Sequence, residues 1–550
     1  MHKPALTVPA PSARWGAAAT RIETHFGDRT LRCYSERPAH LPQMLAQAAQ
    51  GRAAHPAVCD PGREWTWQTL REHSGRLAQG LADAGVAPGD RVALLMDNSL
   101  EFVSAVHAVL RVGAVVVPVS TREAAPGVAF ILNQCRARAV LADTGLVARV
   151  PVALNDGSAL LRVHWSKAPH ETAQGTESGW TDADCLLRSP PLAQDAAPDE
   201  EDAAVILYTS GTTGQPKGAV LTHFNLVHSV LHYRHALDLR ADDRALLAVP
   251  GSHVTGLVAI VLAMAGVGGC VVVLREFKAA SCLQLLSQAR VSFTLMVPAM
   301  YALCLREPQL AHTDLSAWRL AGFGGAPMPP ATIAGLRGHC PDIRLFNAYG
   351  ATETSSPATL TPPGSDQVDK VGIALPCADI RVMDDDGAEL PRGHSGEVWI
   401  RGPMVVPRYW DNPQATQDSF VQGYWKSGDI GTLDAEGFLQ VHDRKKDMIN
   451  RGGYKVFSVE VENCLLAHPA VQEAATVGVP CPVLGERTHA FVYAPGTHDT
   501  EWLRSELTAH CKAALADYKL PDAWTWLSEP LPRNANGKLL KRALREQAAR

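Results

Sequence analysis

A run of small, hydroxylated and basic residues between Tyr208 and Gly218, Tyr-Thr-Ser-Gly-Thr-Thr-Gly-Gln-Pro-Lys-Gly, has the composition of a phosphate-binding loop. Its glycines let the backbone bend toward a ligand with exposed N–H groups, and its hydroxyls can donate to phosphate oxygens. A Walker A loop needs glycine before the lysine and serine or threonine after it, whereas this chain has Pro216 and Gly218. The predicted phosphate contacts are Thr209, Ser210, Gly211, Thr212, Thr213, Gly214 and Lys217.

This loop, together with the stretches described below, resembles the signature of the adenylate-forming enzymes: acyl-CoA synthetases, adenylation domains of peptide synthetases, and firefly luciferase. Most clusters of Ser, Thr and Gly are flexible surface loops, but the agreement over the whole stretch argues against that interpretation. The resemblance extends from about Pro56 to Arg545. It implies that a carboxylic acid is activated as an acyl-adenylate with release of pyrophosphate and then transferred to a thiol, with ATP, Mg²⁺ and CoA as cofactors.

Such a reaction needs a cation and directed hydrogen bonds where charge develops on the phosphates. Glu353, in Tyr-Gly-Ala-Thr-Glu, resembles the family's magnesium ligand, and Thr352 resembles the hydroxyl that contacts phosphate. A single glutamate is usually a solvated surface group. Its position after a predicted strand, Ile343–Phe346, and a predicted turn at Tyr349-Gly350 favours the catalytic interpretation when a phosphate loop is also present.

The rest of the nucleotide site is implied by the resemblance. Asp429 matches the aspartate that binds the ribose hydroxyls, although the family has threonine where this chain has Ser427. A carboxylate that accepts two hydroxyl hydrogen bonds suits this role. Arg444 matches an arginine that also reaches the ribose, and the alternative for it is a solvated charged segment. The expected adenine pocket consists of Gly325, Ala326, Pro327, Asn347, Ala348 and Tyr349, and Gly350 is expected as a further cofactor-binding residue.

The C-terminal part of the chain carries two further family positions. Lys446 aligns with the hinge about which the family's small domain rotates between the two half-reactions. By the same resemblance, a turn at Gly452 and Gly453 would reach the active site after rotation and line the pantetheine tunnel, while a contact of Arg451 with CoA phosphate is left open. Lys538, in Asn-Ala-Asn-Gly-Lys, matches the catalytic lysine that bridges the acid and the α-phosphate; otherwise, a lysine near a C-terminus is usually a solubilising side chain.

His253 occupies a family position that is aromatic or histidine and flanks the acid site. A lone histidine is usually structural, but here we expect a catalytic gate or a pocket wall. Members that activate amino acids place an aspartate in this region, and Pro250–Leu257 has none, so amino acids are not the expected substrates. The expected pocket suits an aryl or a short to medium aliphatic acid. Its residues are His253, Val254, Thr255, Gly256, Pro298, Phe323 and Gly324.

The elements that must position these residues predict an α/β fold. Ala203–Leu207 is expected to form a buried strand before the phosphate loop, and Asn225–Ala236 a helix after it. Ser104–Val119 and Ala259–Leu274 both combine an apolar helix, a glycine break and a valine-rich strand, which indicates two related α/β halves. Short strands from Val371 to Tyr409, with turns at Asp386-Gly387 and Arg392-Gly393, predict a small antiparallel or β-barrel-like subdomain.

With 550 residues, the chain is too long for one ordinary core. We expect a large N-terminal AMP-binding domain, residues 1–445, that contains the two halves and the small subdomain. A small mobile α+β domain, residues 446–550, is expected to follow it.

The composition is that of a globular protein with small-molecule partners. Basic residues number 51 and acidic residues 56, a net charge of −5 that does not favour nucleic acid. Leu257–Leu274 is uncharged, but Gly266, Gly268 and Gly269 interrupt it, so no integral membrane segment is predicted. The 12 cysteines form no C-x-x-C pair and follow no secretory leader, which favours reduced thiols and a cytoplasmic protein. A homodimer is left open.

Two other functions remain open at this stage. The sequence ends about a dozen residues after Lys538, so we expect no carrier domain and free CoA as the acceptor. The first alternative is a standalone adenylation enzyme that loads a separate carrier protein. The second is a non-catalytic nucleotide-binding protein on the same fold, against which the intact Lys217, Glu353, Asp429, Arg444 and Lys538 argue.

Overall fold

The structure, a computed structural model, describes residues 12–16, 18–165, 179–209, 216–497, 499–533 and 539–549. Contacts divide the chain into two compact units. The first comprises Met1–Ile380 and Ile400–Trp425, and the second comprises Arg381–Trp399 and Lys426–Arg550. In the described part of the chain, no helix has both the length and the apolar character that crossing a membrane requires.

Strands and helices alternate along most of the chain. The strands are β1 Thr20–His25, β2 Arg29–Tyr34, β3 Pro56–Asp60, β4 Arg63–Thr66, β5 Arg91–Leu95, β6 Val115–Pro118, β7 Ala139–Asp143, β8 Leu161–Trp165, β9 Thr181–Asp182, β10 Ala203–Thr209, β11 Lys217–Thr222, β12 Arg244–Leu247, β13 Cys270–Val273, β14 Phe293–Met296, β15 Leu320–Phe323, β16 Arg344–Ala351, β17 Ser356–Leu360, β18 Ile373–Ala374, β19 Asp379–Met383, β20 Ser395–Arg401, β21 Phe420–Val421, β22 Tyr424–Leu433, β23 Leu439–Arg444, β24 Ile449–Arg451, β25 Tyr454–Val456, β26 Glu473–Cys481, β27 Gly485–Tyr493 and β28 Ala523–Leu527.

The helices are α1 Leu41–Gly51, α2 Trp67–Asp83, α3 Leu100–Val112, α4 Ala125–Gln134, α5 Ala183–Leu187, α6 His223–Leu237, α7 Ala263–Val267, α8 Ala279–Gln288, α9 Pro298–Leu305, α10 Pro330–His339, α11 Pro413–Ser419, α12 Ser458–Leu466, α13 Thr500–Ala514 and α14 Lys541–Ala548. Short 3₁₀ helices span Ala13–Trp15, Thr144–Arg149, Pro308–His312, Thr352–Thr354 and Asp517–Lys519, and a π-helix spans Thr255–Leu262.

The first unit contains a seven-stranded sheet with the order β11-β10-β6-β5-β7-β8-β9. Its pairs are parallel except the hairpin β10–β11, in which Thr209 lies opposite Lys217. The predicted strand before the phosphate loop and the helix after it are confirmed as β10 and α6. Strand β11 was not predicted, because its short apolar run Ala219–Leu221 is flanked by residues typical of the loop and of the helix cap.

A nine-stranded sheet in the same unit has the order β18-β17-β16-β15-β14-β12-β13-β3-β4. The neighbours β16, β15, β14 and β12 all run parallel. Their carboxyl ends therefore lie side by side at one edge, where open α/β sheets bind ligands. The sheet positions most of the candidate site through this edge.

The prediction of two related halves is confirmed, because the same motif of helix, glycine and strand occurs once in each sheet. Helix α3 ends at Gly113, whose φ is 83°, and leads into β6; α7 ends at Gly268, whose φ is 72°, and leads into β13. Glycine adopts this left-handed conformation without the clash that a Cβ would cause. The uncharged segment Leu257–Leu274 is thus a helix, a turn and a buried strand, as predicted.

The second unit contains a sheet with the order β25-β24-β27-β26, to which β28 is added beside β27. Helices α12 and α13 contribute Val461, Leu465, Leu503 and Leu507 to its core. Leu544 of α14 packs in a separate apolar cluster with residues of β26 and β27. The predicted α+β character of this part of the chain is confirmed.

The short strands predicted between Val371 and Tyr409 are found as β18, β19 and β20. The predicted turns also occur, since Gly387 has a φ of 75° and Gly393 a φ of 85°. Antiparallel pairing continues beyond the predicted range, with β21 beside β22 and β22 beside β23.

Candidate active site

Predicted site residues follow four adjacent strands of the nine-stranded sheet. The loop with His253 follows β12, Pro298 follows β14, Gly324 and Gly325 follow β15, and Glu353 follows β16. Because these strands are parallel neighbours, their carboxyl ends bring the predicted acid-binding and adenine-binding residues to one edge of the sheet.

Glu353 is a buried carboxylate, with 8% of the residue exposed, and it lies in the 3₁₀ helix after β16. The hydroxyl of Tyr409 donates to its Oε1 at 2.8 Å, and its backbone carbonyl accepts from the N–H of Val406 at 2.9 Å. Burial, and then the charge of Glu353, raise the pKa of Tyr409 above its ordinary value. The tyrosine therefore stays a hydrogen-bond donor, and it fixes one of the two carboxylate oxygens.

The predicted turn at Tyr349-Gly350 is wrong. Strand β16 continues to Ala351 and pairs antiparallel with β17, so the Tyr-Gly pair is strand. The chain reverses instead at Ser355 and Ser356, whose φ values are 50° and 105°. Gly350 is needed because a side-chain carbon there would collide with the carbonyl of Ser356.

Non-glycine residues with positive φ are strained and often occur at functional sites. At Ser356 two contacts hold the strained backbone. The hydroxyls of Ser356 and Tyr233 are hydrogen-bonded at 2.6 Å, and Thr354 Oγ1 donates to the Ser356 carbonyl at 2.9 Å. The turn that carries Glu353 is therefore held from both sides.

Lys217 begins β11 on the far side of the phosphate loop. Its Nζ lies 5.3 Å from the centre of the Tyr409 ring, a distance typical of cation–π contacts. Tyr409 thus contacts both the loop lysine and the predicted metal carboxylate. The predicted phosphate contacts Ser210, Gly211, Thr212, Thr213 and Gly214 lie outside the described residues.

The predicted adenine-binding residues lie directly after β15 and on β16. Gly325, with a φ of 78°, bends the chain after β15, and Ala326 and Pro327 continue the bend. A side-chain carbon at Gly324 would clash with the carbonyl of Ala348 on the neighbouring strand. The Asn347 amide donates to the carbonyl of Lys370 at 3.2 Å, so this side chain braces a neighbouring loop.

The loop that carries His253 is organised by Asn98, a buried residue after β5. Its amide nitrogen donates to the carbonyls of Leu247, Val249 and Leu274 at 3.2, 3.0 and 3.3 Å. Its amide oxygen accepts from the N–H of Gly251 at 2.7 Å. One side chain therefore ties the first sheet to the loops that follow β12 and β13.

His253 itself is exposed, and its Nδ1 accepts from the N–H of Thr255 at 3.2 Å. The proton of a neutral ring is therefore on Nε2. Val254 is buried, Gly256 packs against the Pro250 carbonyl, and the π-helix starts at Thr255. π-Helical segments are frequent at functional sites.

In the second unit, Asp429 on β22 lies opposite Arg444 on β23, and Arg444 Nε is 2.7 Å from Asp429 Oδ1. Ser427 Oγ donates to the Val398 carbonyl at 2.7 Å and accepts from the Asp429 N–H at 3.0 Å. A threonine hydroxyl can make the same two bonds, so the departure from the family pattern leaves the predicted ribose-binding aspartate in place.

Lys446 is exposed in the turn between β23 and β24. Gly452 and Gly453, with φ values of 61° and 90°, form the hairpin turn between β24 and β25. Arg451 is paired with Asp522 at 2.6 Å, so its guanidinium is already engaged. Lys538 lies outside the described residues.

Tyr409 and Asn98 were not among the predicted site residues. Tyr409 contacts a residue 56 positions away, and the Asn98 contacts span 149 to 176 positions. No local motif marks either residue. An asparagine three residues after a buried strand was the available signal for Asn98, because a buried amide must find hydrogen-bond partners.

Comparison with known proteins places the chain in a family. Residues 45–410 match the AMP-binding enzyme family, and residues 460–538 match the AMP-binding enzyme C-terminal domain. The chain therefore belongs to the AMP-binding enzyme family, which confirms the resemblance to adenylate-forming enzymes.

Individual relatives cover almost the whole chain. A long-chain-fatty-acid–CoA ligase, FadD13 of Mycobacterium tuberculosis, is 34% identical over 92% of this chain and 97% of its own length. A fatty acid–[acyl-carrier-protein] ligase, ScoC of Streptomyces coeruleorubidus, is also 34% identical, over 92% and 97%. The crystal structure of the anthranilate CoA ligase AuaEII with anthranoyl-AMP superimposes with a TM-score of 0.84 at 26% identity, over 93% of this chain and 98% of that one.

Glu353 fits a role as a magnesium ligand. Mg²⁺ binds oxygen ligands, commonly through one or two carboxylates together with substrate phosphates. A buried carboxylate with one oxygen fixed by Tyr409 meets this requirement.

Substitution of Tyr409 by phenylalanine tests how this carboxylate is held. Loss of a hydrogen bond to a charged group is expected to raise the Mg²⁺ concentration for half-maximal pyrophosphate release about tenfold. Tyr424→Phe is a matched control, because Tyr424 donates to Asp379, which is not a predicted site residue. An unchanged Mg²⁺ requirement in Tyr409→Phe would contradict the role.

Proposed function

We propose that this protein is an AMP-forming acyl-CoA synthetase, an acid–thiol ligase. It activates a carboxylic acid with ATP as an acyl-adenylate, releases pyrophosphate, and transfers the acyl group to CoA. The observation that carries the proposal is the edge of the nine-stranded sheet, where residues predicted to bind acid, adenine and metal follow four adjacent parallel strands. The family membership supports it.

In this proposal, Thr209, Lys217 and the loop between them bind the ATP phosphates, with Thr352 beside them. Asp429 and Arg444 bind the ribose, and the residues after β15 and on β16 bind adenine.

Magnesium, held by Glu353, neutralises phosphate charge when it is bound. Lys538 steadies the attacking carboxylate and the α-phosphate oxygens. The carboxylate oxygen attacks the α-phosphorus and pyrophosphate leaves; the CoA sulfur then attacks the acyl carbon and AMP leaves.

The proposal includes a hinge. The boundary between a large domain, residues 1–445, and a small domain, residues 446–550, lies at Lys446, where the small domain rotates between the half-reactions. Exposure of Lys446 in a turn between two strands supports this position. The turn at Gly452 and Gly453 then lines the path of pantetheine, and its left-handed glycines suit close backbone approach.

The acid is of the aryl or the short to medium aliphatic class. The residues proposed to line the pocket, among them Val254, Gly256, Pro298 and Phe323, are mostly apolar, and His253 is proposed as its gate. The relatives act on different acids, a long-chain fatty acid for FadD13 and anthranilate for AuaEII. These names support a carboxylic acid with an apolar body.

CoA is the proposed acceptor, as in the names of FadD13 and AuaEII. A separate carrier protein is the second candidate, because the name of ScoC includes an acyl-carrier-protein and its identity to this chain is the same 34%. The proposal places the protein in the cytoplasm, which is supported by its 12 free cysteines. Assembly as a homodimer remains a proposal that size measurement in solution would test.

A screen of carboxylic acids tests the function. Pyrophosphate release is measured with ATP and each acid, first alone, then with CoA, and then with a phosphopantetheinylated carrier protein. We expect acid-dependent release that CoA accelerates, together with an acyl-CoA product. Thioester formation on the carrier alone would favour the second candidate. The proposal would be contradicted if none of the acids in the panel caused pyrophosphate release.

A further inference from the structure

A buried contact in the second unit connects residues on opposite sides of Lys446. Asp443, at the end of β23, is 3% exposed, and its Oδ2 accepts hydrogen bonds from both the backbone N–H and the hydroxyl of Ser458, the hydroxyl at 2.7 Å. Ser458 is the first residue of α12, which has no side-chain cap from its own flanking residue Phe457. A carboxylate 15 residues earlier in the chain thus takes the place of a helix cap.

The Ser458 hydroxyl extends this contact to the C-terminal helix. Lys541 Nζ, in the first turn of α14, donates to Ser458 Oγ at 2.6 Å and is paired with Glu462 of α12 at 2.7 Å. Helix α14 begins three residues after Lys538. The contact with Asp443 is therefore connected, through Ser458 and Lys541, to the helix that follows the proposed catalytic lysine.

The contacts of Arg545 lie entirely on the C-terminal side of the rotating backbone bonds of Lys446. Arg545 of α14 donates to the Lys446 carbonyl at 3.0 Å and is paired with Asp447 at 2.6 Å. Rotation about φ or ψ of Lys446 moves the Lys446 carbonyl, Asp447 and everything after them together. The Arg545 contacts persist in such a rotation, whereas the distance from Asp443 to Ser458 changes.

We propose that Asp443 and Ser458 form a latch that holds one rotational state about Lys446 and breaks when the small domain rotates. Both are positioning residues for the two half-reactions, and the inference rests on the hinge of the proposed function. The latch consists of these two residues; the stacked rings of His442 and Phe457, with centroids 5.1 Å apart, add a second contact across the hinge. Opening the latch exposes a buried carboxylate and breaks its hydrogen bonds to the helix terminus. The latched state is therefore favoured until the binding free energy of a ligand offsets the loss of these hydrogen bonds.

Ser458→Pro removes both donors of the latch. Proline is well tolerated at the first position of a helix, where its missing N–H has no partner within the helix. The preceding residue must be extended, and Phe457 is, with φ −82° and ψ 118°. We expect faster hydrogen–deuterium exchange over residues 441–448 and in the first turn of α12. We also expect a change of about tenfold in the ratio of the two single-turnover rates, adenylate formation and thioester formation from synthetic acyl-adenylate.

Thr500→Pro is the matched control, because Thr500 is the exposed first residue of α13, a helix that contributes no residue to the latch. It should leave both the exchange over residues 441–448 and the rate ratio unchanged. If Ser458→Pro does not fold, Asp443→Asn and Ser458→Ala weaken the latch more mildly, and smaller changes in the same two quantities are expected.

Two results would overturn the latch. One is unchanged exchange around Lys446 in a folded Ser458→Pro protein. The other is faster exchange with an unchanged rate ratio, which would make the contact merely structural. The exchange measurement needs no substrate, so it still decides whether the contact restrains Lys446 if the wild-type protein forms no adenylate and the proposed function fails.

Discussion

Lys538→Ala is expected to slow acid-dependent pyrophosphate release by on the order of a hundredfold or more. A lysine ammonium that stabilises both the attacking carboxylate and the α-phosphate oxygens is a well-placed donor worth about 3 kcal/mol of barrier, which corresponds to this factor. In the proposed thiol half-reaction, rotation of the small domain would turn this lysine away from the phosphate. Thioester formation from synthetic acyl-adenylate should therefore hardly change.

Lys512→Ala is a suitable control, since Lys512 is an exposed lysine on α13. It should affect neither step. Equal impairment of both steps in Lys538→Ala, or no impairment of either, would show that the family's division of labour between the domain arrangements does not apply to this chain.

Glu353→Gln is expected to reduce adenylate formation by about a hundredfold and to raise the Mg²⁺ requirement. A neutral amide is a poor ligand for a hard cation, and this side chain is buried with one oxygen fixed by Tyr409. The amide keeps the size of the carboxylate, so the surrounding turn should be retained. The measurement is the rate of pyrophosphate release as a function of Mg²⁺ concentration.

Glu276→Gln is the matched control, because Glu276 is an exposed carboxylate in the same unit, 76% exposed and paired only loosely with Lys278 at 3.5 Å. Its Mg²⁺ dependence should equal that of the wild type. The assignment of Glu353 would be contradicted by a Glu353→Gln protein whose Mg²⁺ dependence is unchanged.

The parts of the fold that were predicted correctly depend on local signals. The apolar helix predicted at the start of Ser104–Val119 is found as α3, Leu100–Val112, because an N-cap serine precedes an apolar run and a glycine ends it. The two copies of helix, glycine and valine-rich strand predicted the two related α/β halves for the same reason. The Glu353 segment was recognised because it is a continuous motif, and the predicted phosphate loop, another such motif, lies mostly outside the described residues.

The parts that were missed depend on contacts between distant residues. A Tyr-Gly pair favours a turn locally, but pairing with β17 keeps Tyr349 and Gly350 in a strand. Tyr409 and Asn98 position site residues through hydrogen bonds across at least 56 positions, and Asp443 caps a helix that begins 15 residues later. Tertiary partners of this kind leave no periodic pattern in the sequence.

The most direct test of the central claim follows the oxygen of the substrate. A carboxylic acid that supports pyrophosphate release is labelled with ¹⁸O in both carboxylate oxygens and converted to thioester with ATP and CoA. Attack of the carboxylate on the α-phosphorus, followed by cleavage of the acyl carbon–oxygen bond by the thiol, transfers one labelled oxygen to AMP. The account predicts AMP with one ¹⁸O atom and unlabelled pyrophosphate; ADP with ¹⁸O in inorganic phosphate, or AMP without label, would contradict it.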